Sequence, residues 1–408
     1  MKIKIQKRLI IWGIAILIFF GILEGILRIS GIKTGDEMLK QFFTYEPLLG
    51  WKLIPNKKGR FKTKEFDIEV KINSDGFRDY EYSIVKKRKS RIIMLGDSYL
   101  WGWGVELEET FSKYIEKDLK CEVINMGVPA YGTDQEYLFF MRKGLKYSPD
   151  IVILCFYTND LWDNLRTEQP GGYGKPKFVN KNGKLYLTNV PVPPPSFYQN
   201  KNFITRTKIF LRNHFATYIF LRNLLKKNRI IVHILQKTKI MKKWGEYSNI
   251  YRTHLSKEIK NGWEITEMLI TQLNNFLTAK GIIFMVVYLP SREQINSFNA
   301  KNTQIDLHMP NKILKKICRK NNILFLDTTP FLCKYSPNKI YFKTDNHFNS
   351  FGHLIVGKIL SKFIKIKLKD HYHFSKTHIS ANQVYSFLPF NLLKSFSLYK
   401  YFSLQTFL

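Results

Sequence analysis

The sequence predicts an α/β fold: a three-layer, doubly wound sandwich around a central, mostly parallel sheet, preceded by an N-terminal transmembrane helix. Two observations lead to this prediction. Apolar segments of strand length alternate with longer amphipathic segments between residues 91 and 365. An uncharged apolar stretch lies near the start of the chain. Alternation of strands and helices is typical of a parallel sheet with helices on both faces.

The first predicted element is a membrane anchor. No charged residue occurs from Leu9 to Leu23, and the chain stays largely apolar to Ile29. A helix of about 20 apolar residues crosses a bilayer. We therefore interpret residues 1–8 as a cytoplasmic stub and residues 9–29 as a transmembrane anchor, because basic residues before a span favour the cytoplasmic side. These basic residues are Lys2, Lys4, Lys7 and Arg8.

This topology predicts a single-pass protein of the cell membrane, with the chain after the span outside the cytoplasm. Glu24 and Arg28 interrupt the far end of the apolar run. On a helix, residues four apart can pair, and charged side chains at a membrane boundary reach into water. A cleaved signal peptide is the alternative, although no small-x-small cleavage site follows the apolar run.

The composition restricts the classes of partner and cofactor. The formal net charge of +33 attracts anionic lipid headgroups, acidic glycans or nucleic acid. Nucleic acid is not expected as a partner, because zinc-finger spacing, RNA-recognition signatures and basic-zipper heptads are missing from the sequence. The four cysteines form no CxxC pair, and no histidines cluster at metal-ligand spacing. We therefore expect no metal site and no cofactor, while a disulfide between Cys318 and Cys333 stays open.

The remaining elements follow from turn signals and periodicity. Residues 35–88 hold short polar and aromatic segments punctuated by turns, and we interpret them as a lead-in that packs on the domain at 89–365. The predicted strands of that domain are Arg91–Leu95, Glu122–Asn125, Ile151–Tyr157, Ile282–Leu289 and Ile323–Leu326. Its predicted helices lie near Glu108–Leu119, Asp134–Lys146, Trp263–Lys280, Pro310–Asn321 and from Ser350 onwards.

An insertion at residues 161–256 is longer than ordinary connections, which is typical of a functional segment. It begins with a predicted hairpin, Lys177–Asn180 with Lys184–Leu187, and it has no acid between Glu168 and Glu246. Two interpretations remain open: amphipathic helices that pack on the core with solvated lysines, or a surface that lies on an anionic membrane or glycan. The C-terminal tail, residues 366–408, fits an interfacial helix or a poorly ordered end.

Candidate catalytic residues follow the predicted strands. The first strand leads into Gly96-Asp97-Ser98, and the next two lead to Gly127 and Asn159. Because ligands of open α/β sheets bind outside the carboxyl ends of the strands, we expect these groups at one edge. Near the C-terminal end, Asp345 precedes His347 by two residues. A carboxylate in this position can orient an imidazole that accepts a proton from a serine.

This ordered set resembles the SGNH hydrolase superfamily of GDSL-type esterases and lipases, whose blocks supply a Ser in a GDS motif, a Gly, an Asn, and a His with its Asp. The match covers residues 90–160 and 280–365. The resemblance implies the SGNH, flavodoxin-like form of the sandwich. It also implies Ser98 as nucleophile, His347 as base and Asp345 as its orienting acid. The Ser98 N–H, the Gly127 N–H and the Asn159 side chain would form the oxyanion hole.

Two positions depart from the family pattern. The commonest family form places the acid three residues before the histidine, where this chain has Thr344. Asp327, after the last predicted strand, is therefore a second candidate for the acid. Tyr157 stands where the family has a glycine, which narrows the site. His353 lies inside the last predicted helix and is interpreted as structural. In residues 72–79, the lead-in resembles membrane-anchored members of the same class.

The predicted function is hydrolysis of carboxylic esters outside the cytoplasm, on O-acyl and especially O-acetyl groups of cell-envelope or exported polysaccharide. The expected partners are an acylated saccharide or other small ester and, through the N-terminal helix, the membrane. One alternative is an O-acyltransferase that uses the same Ser98, His347 and Asp345. Another is a non-catalytic protein on this fold that binds glycan or membrane. The sequence does not indicate the oligomeric state.

Overall fold

The computed structural model describes residues 2–30, 41–88, 90–169, 172–195, 207, 210–211, 214–227, 247–296 and 304–374. The chain divides into two compact units. We call Met1–Gln41 with Pro195–Gly245 the helical unit, and Phe42–Pro194 with Glu246–Leu408 the sheet unit. The predicted tail begins inside the last helix, and its part after Phe374 lies outside the described residues.

In the helical unit, the described residues include α1 (Lys2–Ile29) and a later helix, Ala216–Lys227, numbered below in chain order. Within α1, the stretch Ile11–Ile29 is long and apolar enough to cross a membrane, and nearly all of it is exposed. By length and composition, this stretch fits either a membrane span or a signal sequence.

The sheet unit opens with two antiparallel hairpins formed by residues 42–71. Strand β1 (Phe43–Glu46) pairs with β2 (Gly50–Leu53), and β3 (Lys58–Lys62) pairs with β4 (Asp67–Lys71). Both hairpins belong to the predicted lead-in, for which sequence indicated extended pieces. The later strands are β5 (Arg91–Gly96), β6 (Glu122–Gly127), β7 (Ile151–Tyr157), β8 (Lys177–Lys181), β9 (Lys184–Thr188), β10 (Ile283–Leu289) and β11 (Leu324–Asp327).

Strands β5, β6, β7, β10 and β11 form a parallel sheet in the order β11-β10-β7-β5-β6. The predicted α/β fold is therefore confirmed, and each predicted strand is found within two residues of its expected ends. After β5, the chain forms β6 at one edge of the sheet and then crosses to β7 on the other side of β5. The reversal between β5 and β7 is a topological switch point, where ligands of doubly wound sheets bind.

Helices cover the sheet on both faces. The helices of the sheet unit are α2 (Ser98–Trp101), α3 (Phe111–Leu119), α4 (Thr133–Phe139), α5 (Asn159–Leu165), α7 (Lys257–Thr278), α8 (Arg292–Asn296), α9 (Met309–Lys320), α10 (Thr329–Leu332), α11 (Pro337–Ile340) and α12 (Ser350–Phe374). The later helix of the helical unit is α6 (Ala216–Lys227). Helix α3 packs against α12, and α7 packs against α4 and α5.

Side chains that alternate along the strands fill two separate cores, because successive strand residues point to opposite faces. On one face, Ile92 and Met94 of β5 pack in a cluster with Val356 and Leu360 of α12. On the other face, Phe156 of β7 stacks on Trp263 of α7. The strands are buried on both sides, which explains their continuous apolar runs.

The predicted hairpin in the insertion is present as β8 with β9, and its two-residue turn has positive φ at Asn182 and Gly183. This hairpin and α5 belong to the sheet unit, whereas residues from Pro195 to Gly245 belong to the helical unit. The predicted insertion is thus divided between the two units. Cys318 and Cys333 are free thiols, so the bridge that the sequence left open does not form.

Candidate active site

The candidate residues lie at the carboxyl end of the sheet, on both sides of the switch point between β5 and β7. Ser98 follows β5 and begins α2, and Asn159 follows β7 and begins α5. Gly127 is the last residue of β6 and is paired in register with Gly96 of β5. The predicted residues therefore meet at one edge, as expected for open α/β sheets.

The turn from β5 into α2 is tight, and two glycines make room for it. A Cβ added to Gly96 would lie 2.8 Å from the Leu100 Cβ, and one added to Gly127 would lie 2.5 Å from the backbone nitrogen of Trp101. Such contacts are too short for real Cβ atoms, so α2 packs this close to the strand ends because neither residue has a side chain. Asp97 caps α2 by accepting a hydrogen bond from the Tyr99 N–H.

Ser98, His347 and Asp345 form a continuous hydrogen-bonded chain. Ser98 Oγ lies 2.7 Å from His347 Nε2, and His347 Nδ1 lies 2.5 Å from Asp345 Oδ1. An ionised carboxylate only accepts hydrogen bonds, so Nδ1 carries the proton and Nε2 is left to accept one from Ser98. The two-residue spacing of Asp345 and His347 is thus compatible with a Ser-His-Asp arrangement, although the family more often uses three.

The loop that carries Asp345 and His347 favours the ionised form of Asp345. Burial raises the pKa of Asp345, but hydrogen bonds from the ring and backbone N–H of His347 outweigh it and leave this pKa below its usual range. Trp103 Nε1 donates to Asp345 Oδ2 at 3.1 Å, and the Trp103 ring stacks on His347 with a centroid distance of 5.1 Å. Trp103 therefore contacts both members of the pair, which sequence reasoning missed.

Asp327, the second candidate for the acid, has other partners. Its Oδ2 accepts a hydrogen bond from Asn311 at 2.8 Å, and its Oδ1 accepts one from the Thr329 N–H at 2.9 Å. These contacts fasten the end of β11 to α9 and α10. Within the described residues, the geometry favours Asp345 over Asp327 as the partner of His347.

His353 has a structural environment, as the sequence indicated. The imidazole is buried in α12, its Nδ1 accepts a hydrogen bond from the Phe111 N–H at 3.2 Å, and its ring stacks on Phe111. Burial lowers the pKa of His353 to about 3. A histidine that stays neutral and bonds the start of α3 stabilises the contact between α3 and α12.

The candidate oxyanion donors are close to the serine but have different partners. The Gly127 N–H donates to Asn125 Oδ1 at 2.9 Å, so this donor is engaged within its own strand end. The Asn159 side-chain N–H donates to Asp163 Oδ2 at 3.1 Å, and its buried Oδ1 has no hydrogen-bond partner. Ser98 is the first residue of α2, and the first N–H groups of a helix have no partner inside the helix. The Ser98 N–H is thus the donor that needs no rearrangement.

Buried carboxyl groups lie behind Asn159. Neither carboxyl oxygen of Glu136 has a hydrogen-bond partner, and one oxygen each of Asp160 and Asp97 lacks one. Burial, reinforced by the neighbouring carboxylates, raises the pKa of Glu136 and of Asp160 well above the usual range, and burial raises that of Asp163 to about 7. Burial therefore favours the neutral forms of Glu136 and Asp160 over their charged forms.

Residues of the lead-in support the loops of the site, which sequence reasoning did not predict. The buried Arg78 donates to the carbonyl oxygens of Trp101 and Gly102, after Ser98. Asp79 accepts a hydrogen bond from the Asn125 N–H at 2.7 Å. Arg78 and Asp79 end the motif Asn73-Ser-Asp-Gly-Phe-Arg-Asp, whose resemblance to membrane-anchored members of the class is the sequence signal for this supporting role.

Glu65, from the turn of the hairpin β3–β4, holds the loop that carries Asp345. Its carboxylate accepts hydrogen bonds from the N–H of Thr344 at 3.0 Å, the Thr344 hydroxyl at 2.5 Å and the N–H of Asp345 at 2.9 Å. Burial raises the pKa of Glu65, but these hydrogen bonds lower it more and keep it below the usual range. A residue far away in sequence thus fixes the position of Asp345.

Among the described residues, no group of three or more His, Cys, Asp or Glu side chains is arranged to hold a metal ion. The side chains described at the site supply a serine hydroxyl, an imidazole that can accept its proton, and a carboxylate that orients the imidazole. This arrangement suits nucleophilic attack on a carbonyl carbon.

Comparisons with known proteins agree with this chemistry. The profile of the GDSL-like lipase/acylhydrolase family matches residues 94–355. No curated protein matches the chain. Among solved structures, a protein from Desulfitobacterium hafniense described as a lipolytic protein of the G-D-S-L family is 13% identical, with 67% of this chain and 99% of that chain covered and a TM-score of 0.34.

Two further solved structures are similar to the same extent. An acetyl xylan esterase, AlAXEase, is 13% identical, with 67% of this chain and 99% of that chain covered and a TM-score of 0.37. A GDSL-like lipase from Bacteroides thetaiotaomicron is 14% identical, with 70% of this chain and 93% of that chain covered and a TM-score of 0.36.

Proposed function

This chain belongs to the GDSL-like lipase/acylhydrolase family and is an ester-hydrolysing enzyme, and from that premise we propose that Ser98, His347 and Asp345 are its catalytic triad. The observation that supports this proposal most directly is the hydrogen-bonded chain from Ser98 Oγ through both ring nitrogens of His347 to Asp345. Such a chain supplies a nucleophile, a general base and the group that orients the base.

The proposed reaction has two steps. In the first, His347 Nε2 takes the proton of the Ser98 hydroxyl while Oγ attacks the acyl carbonyl, and the same proton then passes to the departing alcohol oxygen. In the second, His347 takes a proton from water, the hydroxide attacks the acyl-serine, and Ser98 Oγ leaves with that proton as the carboxylic acid is released. Asp345 stabilises the imidazolium formed in each step.

The proposed oxyanion hole consists of the Ser98 N–H, the Gly127 N–H and the Asn159 side chain. The negative oxygen of a tetrahedral intermediate attracts donors more strongly than a neutral partner does. We therefore expect the Gly127 N–H to turn from Asn125 toward the oxyanion when substrate binds. We expect the Asn159 side chain to turn an N–H from Asp163 Oδ2 toward the oxyanion.

We propose that α1 is retained as a membrane anchor and that the enzyme acts outside the cytoplasm on O-acyl groups of cell-envelope or exported polysaccharide. Side chains of His347 and Asp345 are 21% and 28% exposed, so an ester on a large molecule can reach them. The net charge of +33 attracts acidic polysaccharide to the protein. Among these O-acyl groups, we propose O-acetyl esters as the substrates.

The test is incubation of the full-length protein, in detergent, with O-acetylated acidic polysaccharide and with medium-chain and long-chain lipid esters. Free acetate is quantified, and the polysaccharide and added sugar acceptors are examined for newly attached acetyl groups. We expect release of free acetate from the polysaccharide. Activity confined to lipid esters would refute the substrate, and transfer of acetyl to an acceptor without free acetate would identify an O-acyltransferase at the same site.

Glu65 offers a test of how the lead-in supports the triad. In the variant Glu65→Gln, one oxygen that accepts backbone hydrogen bonds becomes an NH₂ group that faces the same donors. A hydrogen bond to a charged group contributes about 1.5–3 kcal/mol, so loss of one should lower kcat roughly 10- to 100-fold. We expect KM to change little, because Glu65 touches the loop of Asp345 and not the candidate donors.

Glu69→Gln is the matched control for Glu65→Gln. Glu69 lies on β4 of the same hairpin and pairs with Lys58 and Lys71. Because exposed ion pairs contribute little, the control should keep the parent kcat. Equal kcat values for Glu65→Gln and the parent, with the fold retained, would show that the hairpin does not position Asp345.

A further inference from the structure

Helix α6 begins against the last turns of α1, inside the helical unit. The carboxylate of Glu24 accepts hydrogen bonds from the N–H groups of Ala216 and Thr217 at 2.9 and 2.8 Å, and from the Thr217 hydroxyl at 2.8 Å. Arg28 donates to the same carboxylate at 2.8 Å. Glu24 thus acts as the N-terminal cap of α6, whose first N–H groups have no partner inside the helix.

The position of Glu24 sets the depth at which α6 begins. Glu24 lies inside the apolar stretch Ile11–Ile29. At 1.5 Å per residue, it is about 7.5 Å from the end at Ile29. A carboxylate near hydrocarbon is costly unless hydrogen bonds or an ion pair satisfy it, and α6 with Arg28 supplies both. If α1 crosses a bilayer, α6 therefore starts at the outer edge of the hydrocarbon.

The side of α6 that meets α1 continues as an exposed apolar stripe. Thr217 is buried, and the positions three, four and seven residues later carry Phe220, Leu221 and Leu224. Residues with this spacing share one face of a helix. Phe220, Leu221 and Leu224 are 39%, 40% and 53% exposed. The apolar surface of α1, against which α6 begins, is exposed as well, so we expect the same solvent to reach both helices.

The charge of the same segment matches an anionic lipid surface. Residues 195–245 contain no Asp or Glu, and their basic residues are Lys201, Arg206, Lys208, Arg212, Arg222, Lys226, Lys227, Arg229, Lys237, Lys239, Lys242 and Lys243. Arg222 lies on the side of α6 opposite the apolar stripe, given 100° per residue. Apolar side chains on one face and basic ones on the other are typical of helices that lie in a membrane interface.

We propose that α6 lies in the outer interface of an anionic bilayer beside α1, with Phe220, Leu221 and Leu224 among the acyl chains and Arg222 among the headgroups. This inference rests on the membrane anchor of the proposed function. It selects one of the two interpretations that the sequence left open for the insertion. The stripe becomes a second membrane contact of the chain, beyond the span, with Glu24 as the residue that joins the two.

The test uses full-length protein reconstituted in vesicles of phosphatidylcholine with phosphatidylglycerol as the anionic component. Single cysteines are introduced as Leu224→Cys on the stripe and Arg222→Cys on the opposite face, in a Cys333→Ser background. Cys121, Cys155 and Cys318 are buried, and Cys333 is partly exposed. Each site is labelled with an environment-sensitive fluorophore and quenched by nitroxide lipid or by aqueous iodide. Leu17→Cys reports on the span and Lys184→Cys on a water-exposed hairpin.

We expect nitroxide lipid to quench most of the emission at positions 17 and 224, and iodide to quench it at positions 222 and 184. Quenching of position 17 by lipid, with position 224 open to iodide, would overturn the inference while leaving the anchor intact. A label at position 224 that neither quencher reaches would show that protein covers the stripe, which also overturns it. Loss of lipid quenching at position 17 would refute the anchor and the inference together.

Discussion

Replacing Ser98 with alanine is expected to lower kcat on an acetyl ester by about 10⁴- to 10⁶-fold. Loss of the triad serine lowers kcat by a similar factor in other serine hydrolases. The physical reason is that His347 Nε2 then has no hydroxyl within 2.7 Å from which to take a proton. The remaining rate should come from water activated near the same donors. Steady-state kinetics give kcat, and mass spectrometry of the parent should detect an acyl group on Ser98 that the variant cannot form.

Ser361→Ala is the matched control for this prediction. Ser361 is buried in α12, and its hydroxyl has no hydrogen-bond partner, so removal of the oxygen leaves no donor or acceptor unpaired. We expect the parent kcat from this variant. An acylated residue other than Ser98, or a Ser98→Ala variant with more than a small fraction of the parent rate, would contradict the assignment of the nucleophile.

The sheet and the residues at its edge could be predicted from sequence because their signals are local. Strands buried on both faces leave continuous apolar runs, such as Ile151–Tyr157, which the structure reproduces without a change of bounds. The polar residues that follow each run then fall at one edge by topology alone. The predicted end of β6, Asn125, is two residues short of the observed end, Gly127. A polar residue after an apolar run indicates the end of a strand, but the Asn125 side chain is buried and donates to the Leu100 carbonyl oxygen.

Contacts between distant segments could not be predicted, because no periodicity signals them. Glu65 reaches Thr344 across 279 residues, and Glu24 reaches Thr217 across 193. The sequence indicated that Glu24 pairs with Arg28 or reaches into water at a membrane boundary. Its main partners are the N–H groups of a helix in the insertion, which only the fold brings near. The buried Glu136 is a comparable case, since a glutamate in a helical pattern reads as a solvated residue until its neighbours are known.

The choice between Asp345 and Asp327 gives the other prediction with a large effect. We expect Asp345→Asn to lower kcat by about 10⁴-fold, as loss of the orienting carboxylate does in a Ser-His-Asp triad. An asparagine can donate its N–H to Nδ1, so that Nε2 carries the proton and cannot take one from Ser98. Asp327→Asn should leave kcat unchanged, because Asp327 bonds Asn311 and Thr329 and lies at the end of β11.

The two variants are distinguished by comparing kcat with the melting temperature. Asp327→Asn removes an acceptor that fastens β11 to α9 and α10, so it should lower the free energy of unfolding by about 1 kcal/mol and leave turnover intact. Asp345→Asn turns an N–H toward the backbone N–H of His347, which donates to Oδ1 in the parent, so it should also lower the free energy of unfolding by about 1 kcal/mol. The two variants should therefore differ in kcat. If Asp327→Asn lowered kcat about 10⁴-fold and Asp345→Asn left it unchanged, Asp327 would be the acid that orients His347.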